Sequence, residues 1–346
     1  MVTLGCDSHK RTHTVVAVDE NGREVASRTF QATCQGHLEV LAWARCWPDR
    51  RWALEDCRHV SRRLEGDLVV AGEAVLRVPP KLTAGARRSS RQRGKSDPID
   101  AAAVARAALR EPGLPRAQLA GREREARLLV DHREDLVQQR TQHQNRLRWH
   151  LHELEPELRL GPGALSHMSA LATVQLRLQE QAGPVARLAL ELVELIRDLT
   201  RRIERLEREL EELMPELAPT LLELQGCGAV TAAKIVGETA DVSRFRSRAA
   251  YAMNNGTAPI PASSGNRQRV RLNRGGNRQL NAALYRIALT QVRLGGPGAA
   301  YLRKQLEAGA TKAEARRALL RRLSDEVYRR LLQDRGRLQP PLSAAA

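Results

Sequence analysis

The sequence predicts an α/β domain over residues 1–118, a long helical coiled-coil insert over 119–217, and a mostly α C-terminal domain over 218–333 with a helix-hairpin-helix-like element. Residues 334–346 read as a flexible tail. Three observations carry this reading. Residues 2 to 110 hold β-branched and alternating runs that give way to helical periods. Residues 188 to 217 repeat an apolar side chain every three or four positions. Beyond residue 225, paired glycines interrupt helical periods.

In order, VTLGCD, THTVVAVD and REVASRTF, the last after the turn signal DENG, read as a β-meander. A helix follows around HLEVLAWARCW, then a short apolar strand, WALED, ending at Glu55. A helix from Val60 to Ala71 and a strand, AVLRVPP, come next. KLTAGARRSSRQRGK then carries six basic residues and no acidic one. It reads as a solvated loop or as a phosphate contact made by Arg87, Arg88, Arg91, Arg93 and Lys95.

In KSDPIDAAAVARAAL, Asp97 stands before proline, which suits an N-cap with Pro98 as the first helical residue. Asp100 falls one turn on and on the same face. Carboxylates at i and i+3 can converge on one cation, so the pair is a candidate metal site next to a basic cluster.

Leu188, Leu192, Leu195, Leu199, Ile203, Leu206, Leu210, Leu213 and Leu217 form a coiled-coil or hairpin seam with one stutter. The helix before it, DLVQQRTQHQNRLRWHLHELEPEL, is less apolar, and its exposed face suits a partner helix or nucleic acid. His132, His143, His150 and His152 read as surface residues, since no carboxylate or cysteine pattern accompanies them. LLELQGCGAVTAAKIVGE then gives helix, Gly226-Cys227-Gly228, helix. Such glycines let backbone amides at a helix N-terminus approach a phosphate, and a plain interhelical turn fits the same residues.

The chain has 346 residues, with 57 Lys+Arg against 40 Asp+Glu, a net charge of +17, and only 3% aromatic residues. A polyanionic partner is implied, and base stacking on aromatic platforms is not its main grip. Five scattered cysteines without metal-ligand spacing read as thiols of a reducing cytosol. With no membrane-length apolar run and no apolar signal core after the N-terminus, a soluble, non-exported protein is expected. Between Asp241 and Glu307 no acidic residue occurs, while Arg244, Arg246, Arg248, Arg267, Arg269, Arg271, Arg274, Arg278, Arg286, Arg293, Arg303 and Lys304 are basic. A solvated face does not account for that imbalance. Within it, GTAPIPASSGNRQRVRLNRGGNRQL has a proline-rich approach, a Ser-Ser-Gly turn, an alternating arginine segment and a second glycine turn. Serine at such a turn is ordinarily a turn former.

Asp7 in LGCDSHK, Glu55 in ALEDC, Asp97 and Asp100 in KSDPIDA, GCGAVTAAKIVGE and GTAPIPASSGNRQ followed by LNRGGNRQLN together resemble the DEDD transposases of the insertion-sequence family one-ten, the bridge-RNA-guided recombinases. The likeness runs from about residue 2 to 330 and is specific through the combination of motifs. It implies an RNase H-like (RuvC-like) fold for the N-terminal domain, in which Asp7, Glu55, Asp97 and Asp100 meet and hold Mg²⁺. It implies a serine nucleophile at Ser264 and a covalent phosphoserine intermediate, with Ser263 a chemical near-equivalent. Asp56 stands beside Glu55, and the motif match prefers Glu55.

The same resemblance implies element and target DNA and a structured bridge RNA as partners, a homodimer assembling to a tetramer, and a cytoplasmic bacterial location, on the nucleoid when active. Gly226, Gly228, Arg267, Arg269, Arg271, Arg274 and Arg278, with the upstream basic cluster, are the nucleic-acid candidates, open to RNA or DNA. Two rival classes remain at this level. A metal-dependent junction nuclease needs the acids but no serine, and a non-catalytic nucleic-acid-binding protein needs the arginines alone.

Overall fold

The computed structural model describes residues 1–56, 60–88, 96–117, 119, 121–262 and 270–338. They fall into two compact units, 1–120 and 121–346.

The first unit is built on a five-stranded mixed sheet, β1 (Val2–Ser8), β2 (Thr12–Val18), β3 (Glu24–Gln31), β4 (Arg50–Glu55) and β5 (Val75–Val78), in the order β3-β2-β1-β4-β5. β1 pairs antiparallel with β2 and parallel with β4, which pairs parallel with β5. Period-two alternation splits the strands between two cores. Leu4, Cys6, Val15, Ala17, Trp52 and Leu54 pack on one face with residues of α1 (Cys34–Ala44) and α2 (Arg62–Val70). Val16, Val18 and Ala53 pack with residues of the helix at 97–110 on the other. On the first face His13 and His37 are buried, their Nε2 atoms 3.2 Å apart, and His37 Nδ1 meets Asp67 Oδ2 at 2.5 Å.

The basic segment after β5 is not a loop throughout. Residues Pro80–Arg88 form α3, which starts on a proline and packs on α4 (Asp97–Arg110) with Thr83 and Ala86 buried. A small apolar stripe of Leu82 and Ala86 against Ala103 and Ala107 was enough to fix a helix that the charge count concealed.

The second unit is mostly helical. α5 (Arg122–Leu154), α6 (Met168–Gln179) and α7 (Pro184–Leu217) precede α8 (Pro219–Leu222), α9 (Ala229–Thr239) and α10 (Arg248–Asn254). A two-stranded ladder of β6 (Ile260–Pro261) and β7 (Val270–Arg271) follows, then α11 (Arg278–Arg293), α12 (Pro297–Glu307) and α13 (Lys312–Leu338). α5 and α7 run antiparallel, since Arg122 pairs with Glu216 and Arg133 with Glu207. On α7, Leu192, Leu199, Ile203, Leu210 and Leu213 of the expected seam are buried, but Leu188 and Leu195 are exposed, and Val193 and Ile196 are buried instead. The in-chain contact thus takes a broader stripe than a strict heptad.

The lower end of α5 is tied to the helices beyond it by charge. Lys234 of α9 is 2% exposed, and its Nζ lies 2.7 Å from both Asp131 Oδ1 and Glu134 Oε2 of α5. Arg127 Nη2 meets Glu238 Oε1 at 2.9 Å, and Glu238 Oε2 accepts from Asn277 Nδ2 at 2.6 Å. Among the described residues no helix is long and apolar enough to cross a membrane.

Candidate functional site

Strand alternation and the close approach of a helix put the acids on the α4 side of the sheet. Leu4 and Cys6 point into the α1/α2 core, so Gly5 and Asp7 belong to the α4 face. A Cβ on Gly5 would lie 2.2 Å from Ala101 O and 2.6 Å from Ala105 N, so only glycine lets α4 lie this close on β1. The alanine run serves the same contact from the helix side, with Ala101, Ala102, Ala103, Ala105, Ala107 and Ala108 all buried. β4 repeats the pattern. Ala53 packs on α4, and Glu55, two residues on, shares that side, whereas Asp56 does not. Since Cys6 lies opposite Leu54 in the parallel ladder, Asp7 and Glu55 come next on adjacent strands.

α4 brings the other two acids. Ser96, extended at φ −154 and ψ 154, holds the cap position, and Asp97 is the first helical residue, which corrects the expectation that Asp97 caps the helix. Pro98 supplies no amide, no side chain caps this end, and the Asp97 carboxylate turns to His9 instead. His9 Nε2 lies 3.3 Å from Asp7 Oδ2 and 3.4 Å from Asp97 Oδ1. Asp7, His9 and Asp97 each offer an atom within 4.8 Å of the others, close enough to share a metal ion. Asp100 is met by Arg87 of α3, Nε to Oδ1 at 3.0 Å, an ion-pair distance without hydrogen-bond alignment.

Burial pushes the Asp7 carboxyl above its usual range, with Asp100, Asp97 and Glu55 adding to the shift and His9 opposing it. Asp7 therefore feels the charge of the other three acids, but among the described residues only Asp97 joins it and His9 in a group of ligand atoms; Glu55 and Asp100 stand outside that group. The donor set suits a divalent cation, which would offset this crowding of like charge, and the buried Asp100 Oδ1 has no hydrogen-bond partner of its own. The sequence reading passed over His9. Its only signal was a histidine two positions past a strand-end acid, and that gains meaning only once the chain turns there.

In the second unit, Gly226 has φ +89 and Gly228 occupies the N-cap of α9, so the glycine pair makes a tight turn into a helix N-terminus. Asparagines tie together the segments on either side of the β6/β7 ladder. Asn255 is fully buried, donates to Ser324 Oγ at 2.8 Å and accepts from Thr257 N and Oγ1. Asn281 donates to Asn255 O at 3.0 Å, and Asn277 caps α11. A Cβ on Gly276 would lie 2.3 Å from Gly256 N, so two chain segments cross in backbone contact at this base. Arg271, Arg274 and Arg278 are exposed, as is Arg88 of α3. Ser264, with Ser263, Arg267 and Arg269, lies outside the described residues, and so do Arg91, Arg93 and Lys95.

Residues 4–156 match the DEDD transposase family of IS110, and residues 218–318 match the transposase IS116/IS110/IS902 family. Together the two stretches take in more than half of the chain. A curated relative, the uncharacterized 44.8 kDa protein of insertion element IS116 from Streptomyces clavuligerus, is 26% identical over 396 aligned positions, covering 98% of this chain and 96% of that protein. Among solved structures, T. thermophilus RuvC in complex with Holliday junction substrate matches at 16% identity and a TM-score of 0.28, over 34% of this chain and 99% of that one.

Proposed function

The chain belongs to the IS116/IS110/IS902 family of transposases, and from that premise we propose that it cuts element and target DNA and rejoins the strands through a serine-linked intermediate, with its N-terminal acids gathered on Mg²⁺. The observation that supports this most is that Asp7, partly buried, carries the added field of Asp100, Asp97 and Glu55 from two other elements. A sheet gains nothing in stability from such a set, and carboxylates crowded this way are held at a cost. In this reading Asp7, Glu55, Asp97 and Asp100 are the metal ligands. Mg²⁺ held by these residues would offset the negative charge of the scissile phosphate.

Ser264 is the nucleophile. Its hydroxyl exchanges a phosphorus–oxygen bond to sugar for one to serine, the proton ending on the released sugar hydroxyl, and the reverse exchange with another strand end reseals the backbone. Bond type is conserved, so no external energy source is needed. A structured guide RNA that pairs with donor and target chooses the sequences, and the protein supplies backbone contacts from Arg88, Arg271, Arg274 and Arg278. The net charge of +17 suits a chain holding two nucleic acids. The helical region carries the homodimer contact, which the exposed Leu188 and Leu195, one heptad apart on α7, support.

Denaturing gels of reactions with donor DNA, Mg²⁺ and the RNA that co-purifies with the full chain test this reading. A protein-DNA adduct is expected that disappears in Ser264→Ala, persists in Ser263→Ala and never forms in Asp7→Asn. Free DNA ends without any adduct would point instead to a metal-dependent junction nuclease. Binding with no cleavage at all would leave only a nucleic-acid-binding protein.

A further inference from the structure

His9 stands where β1 ends and the chain returns to β2. Its own amide donates to Thr12 O at 2.9 Å, which closes the turn and fixes the residue beside the strand end. The imidazole therefore comes back over the acids, with Nε2 3.3 Å from Asp7 Oδ2 and 3.4 Å from Asp97 Oδ1. Two of these three donors sit on one short, hydrogen-bonded stretch of backbone, and the third is the first residue of a helix packed on it.

We propose that His9 is itself a metal ligand, alongside Asp7 and Asp97, and that its nitrogen makes this site prefer Mn²⁺ to Mg²⁺. The inference rests on the metal-site reading above and concerns which ion that site takes. Mg²⁺ is hard, keeps its waters and favours oxygen ligands in a near-ideal octahedron. Imidazole is a softer donor that suits transition ions, and Mn²⁺ accepts it together with carboxylates. A nitrogen among the donors therefore adds affinity for Mn²⁺ and little for Mg²⁺. If His9 were only a partner for the two carboxylates, it would be displaced by either ion alike and would create no preference. The ratio of the two affinities separates these roles.

The test is Mn²⁺ binding to the full chain, followed by loss of the free-ion signal in electron paramagnetic resonance, with Mg²⁺ measured by competition. Wild-type protein is expected to hold Mn²⁺ more tightly than Mg²⁺. His9→Ala should lose about tenfold in Mn²⁺ affinity and keep its Mg²⁺ affinity within about twofold. His9→Gln, which keeps bulk and offers oxygen, should likewise lose the Mn²⁺ preference and serves if the alanine variant folds poorly. Variants that weaken both ions equally, or neither, would overturn the role of His9 while leaving the metal site standing. Wild-type protein that binds neither ion, or Asp7→Asn protein that binds both undiminished, would overturn the metal-site reading along with it.

Discussion

Arg87 Nε lies 3.0 Å from Asp100 Oδ1, so the acid furthest along α4 is held by a guanidinium from α3 while Asp7 and Asp97 face His9. The pair is 37% and 13% exposed, sheltered enough for the charge to count. A cation drawing on Asp100 competes with Arg87 for that oxygen. Arg87→Gln should raise Mg²⁺ affinity by about three- to tenfold, an estimate from one charge a few ångströms away in a partly screened site. Calorimetric titration of both proteins checks this. Equal or weaker binding in the variant would mean that Arg87 supports the cluster and does not compete for it.

Asp7 carries the second prediction. Its folded-state carboxyl titrates above its unfolded one, from burial first and then the neighbouring acids. Between those two values the folded state binds more protons, so stability falls as pH rises through that window and stays reduced at neutral pH. Asp7→Asn removes that burden and the cation's handle together. Without metal at pH 7 the variant should melt about 2 °C or more above wild type, and Mg²⁺ should raise the melting temperature of wild type alone. A variant that melts below wild type without metal would show that the Asp7 charge is structurally needed.

The strands that hold this site were legible as short apolar or β-branched runs, with Asp7 near the end of β1 and Glu55 at the end of β4. The spacing of Asp97 and Asp100 placed both in the first turn of α4, but not their different partners, His9 for one and Arg87 for the other. Three further features were not legible. The helix at Pro80–Arg88 was hidden by its charge, because its buried stripe is only a few small residues wide. Leu188 and Leu195 fit the heptad arithmetic but face away, since the partner helix in the same chain takes the neighbouring stripe around Val193 and Ile196. His9 depends on a turn whose closing hydrogen bond carries no sequence signature.

The buried pair of His13 and His37 gives a pH prediction for the first unit. Burial, the adjoining His37, and the charges of His9 and Arg63 bring the His13 pKa down to about 4 from 6.5. Asp67, bonded to His37 from α2, is the acid facing the pair. Above pH 6.5 the imidazole is neutral in both states and costs nothing; as pH falls from 6.5 towards 4 the unfolded state takes up the proton first, so stability is lost over that window. Melting curves of wild type should drop through it, and those of His13→Gln should drop less. Parallel curves for the two proteins would place the acid sensitivity elsewhere.

The site as a whole hangs on Gly5, and that makes the last prediction the most direct test of its geometry. A methyl group there would sit 2.2 Å from Ala101 O, 2.6 Å from Ala105 N and 2.7 Å from Ala105 Cβ. Two of these are backbone atoms and the third is rigidly attached to one, so no side-chain rotation can relieve the contact; α4 itself must move. The cost of such overpacking is about 1–3 kcal/mol. The displaced helix carries Asp97 and Asp100, while Asp7 stays with the sheet. Gly5→Ala should therefore lower the melting temperature by several degrees and weaken Mg²⁺ binding by more than that instability explains, measured at a temperature where the variant is fully folded. Gly85, on the neighbouring α3, has open space where a Cβ would go and is the control, since Gly85→Ala should leave both measurements unchanged or slightly improved. Normal metal binding by folded Gly5→Ala protein would show that the acids are held together by something other than the close approach of α4 to β1.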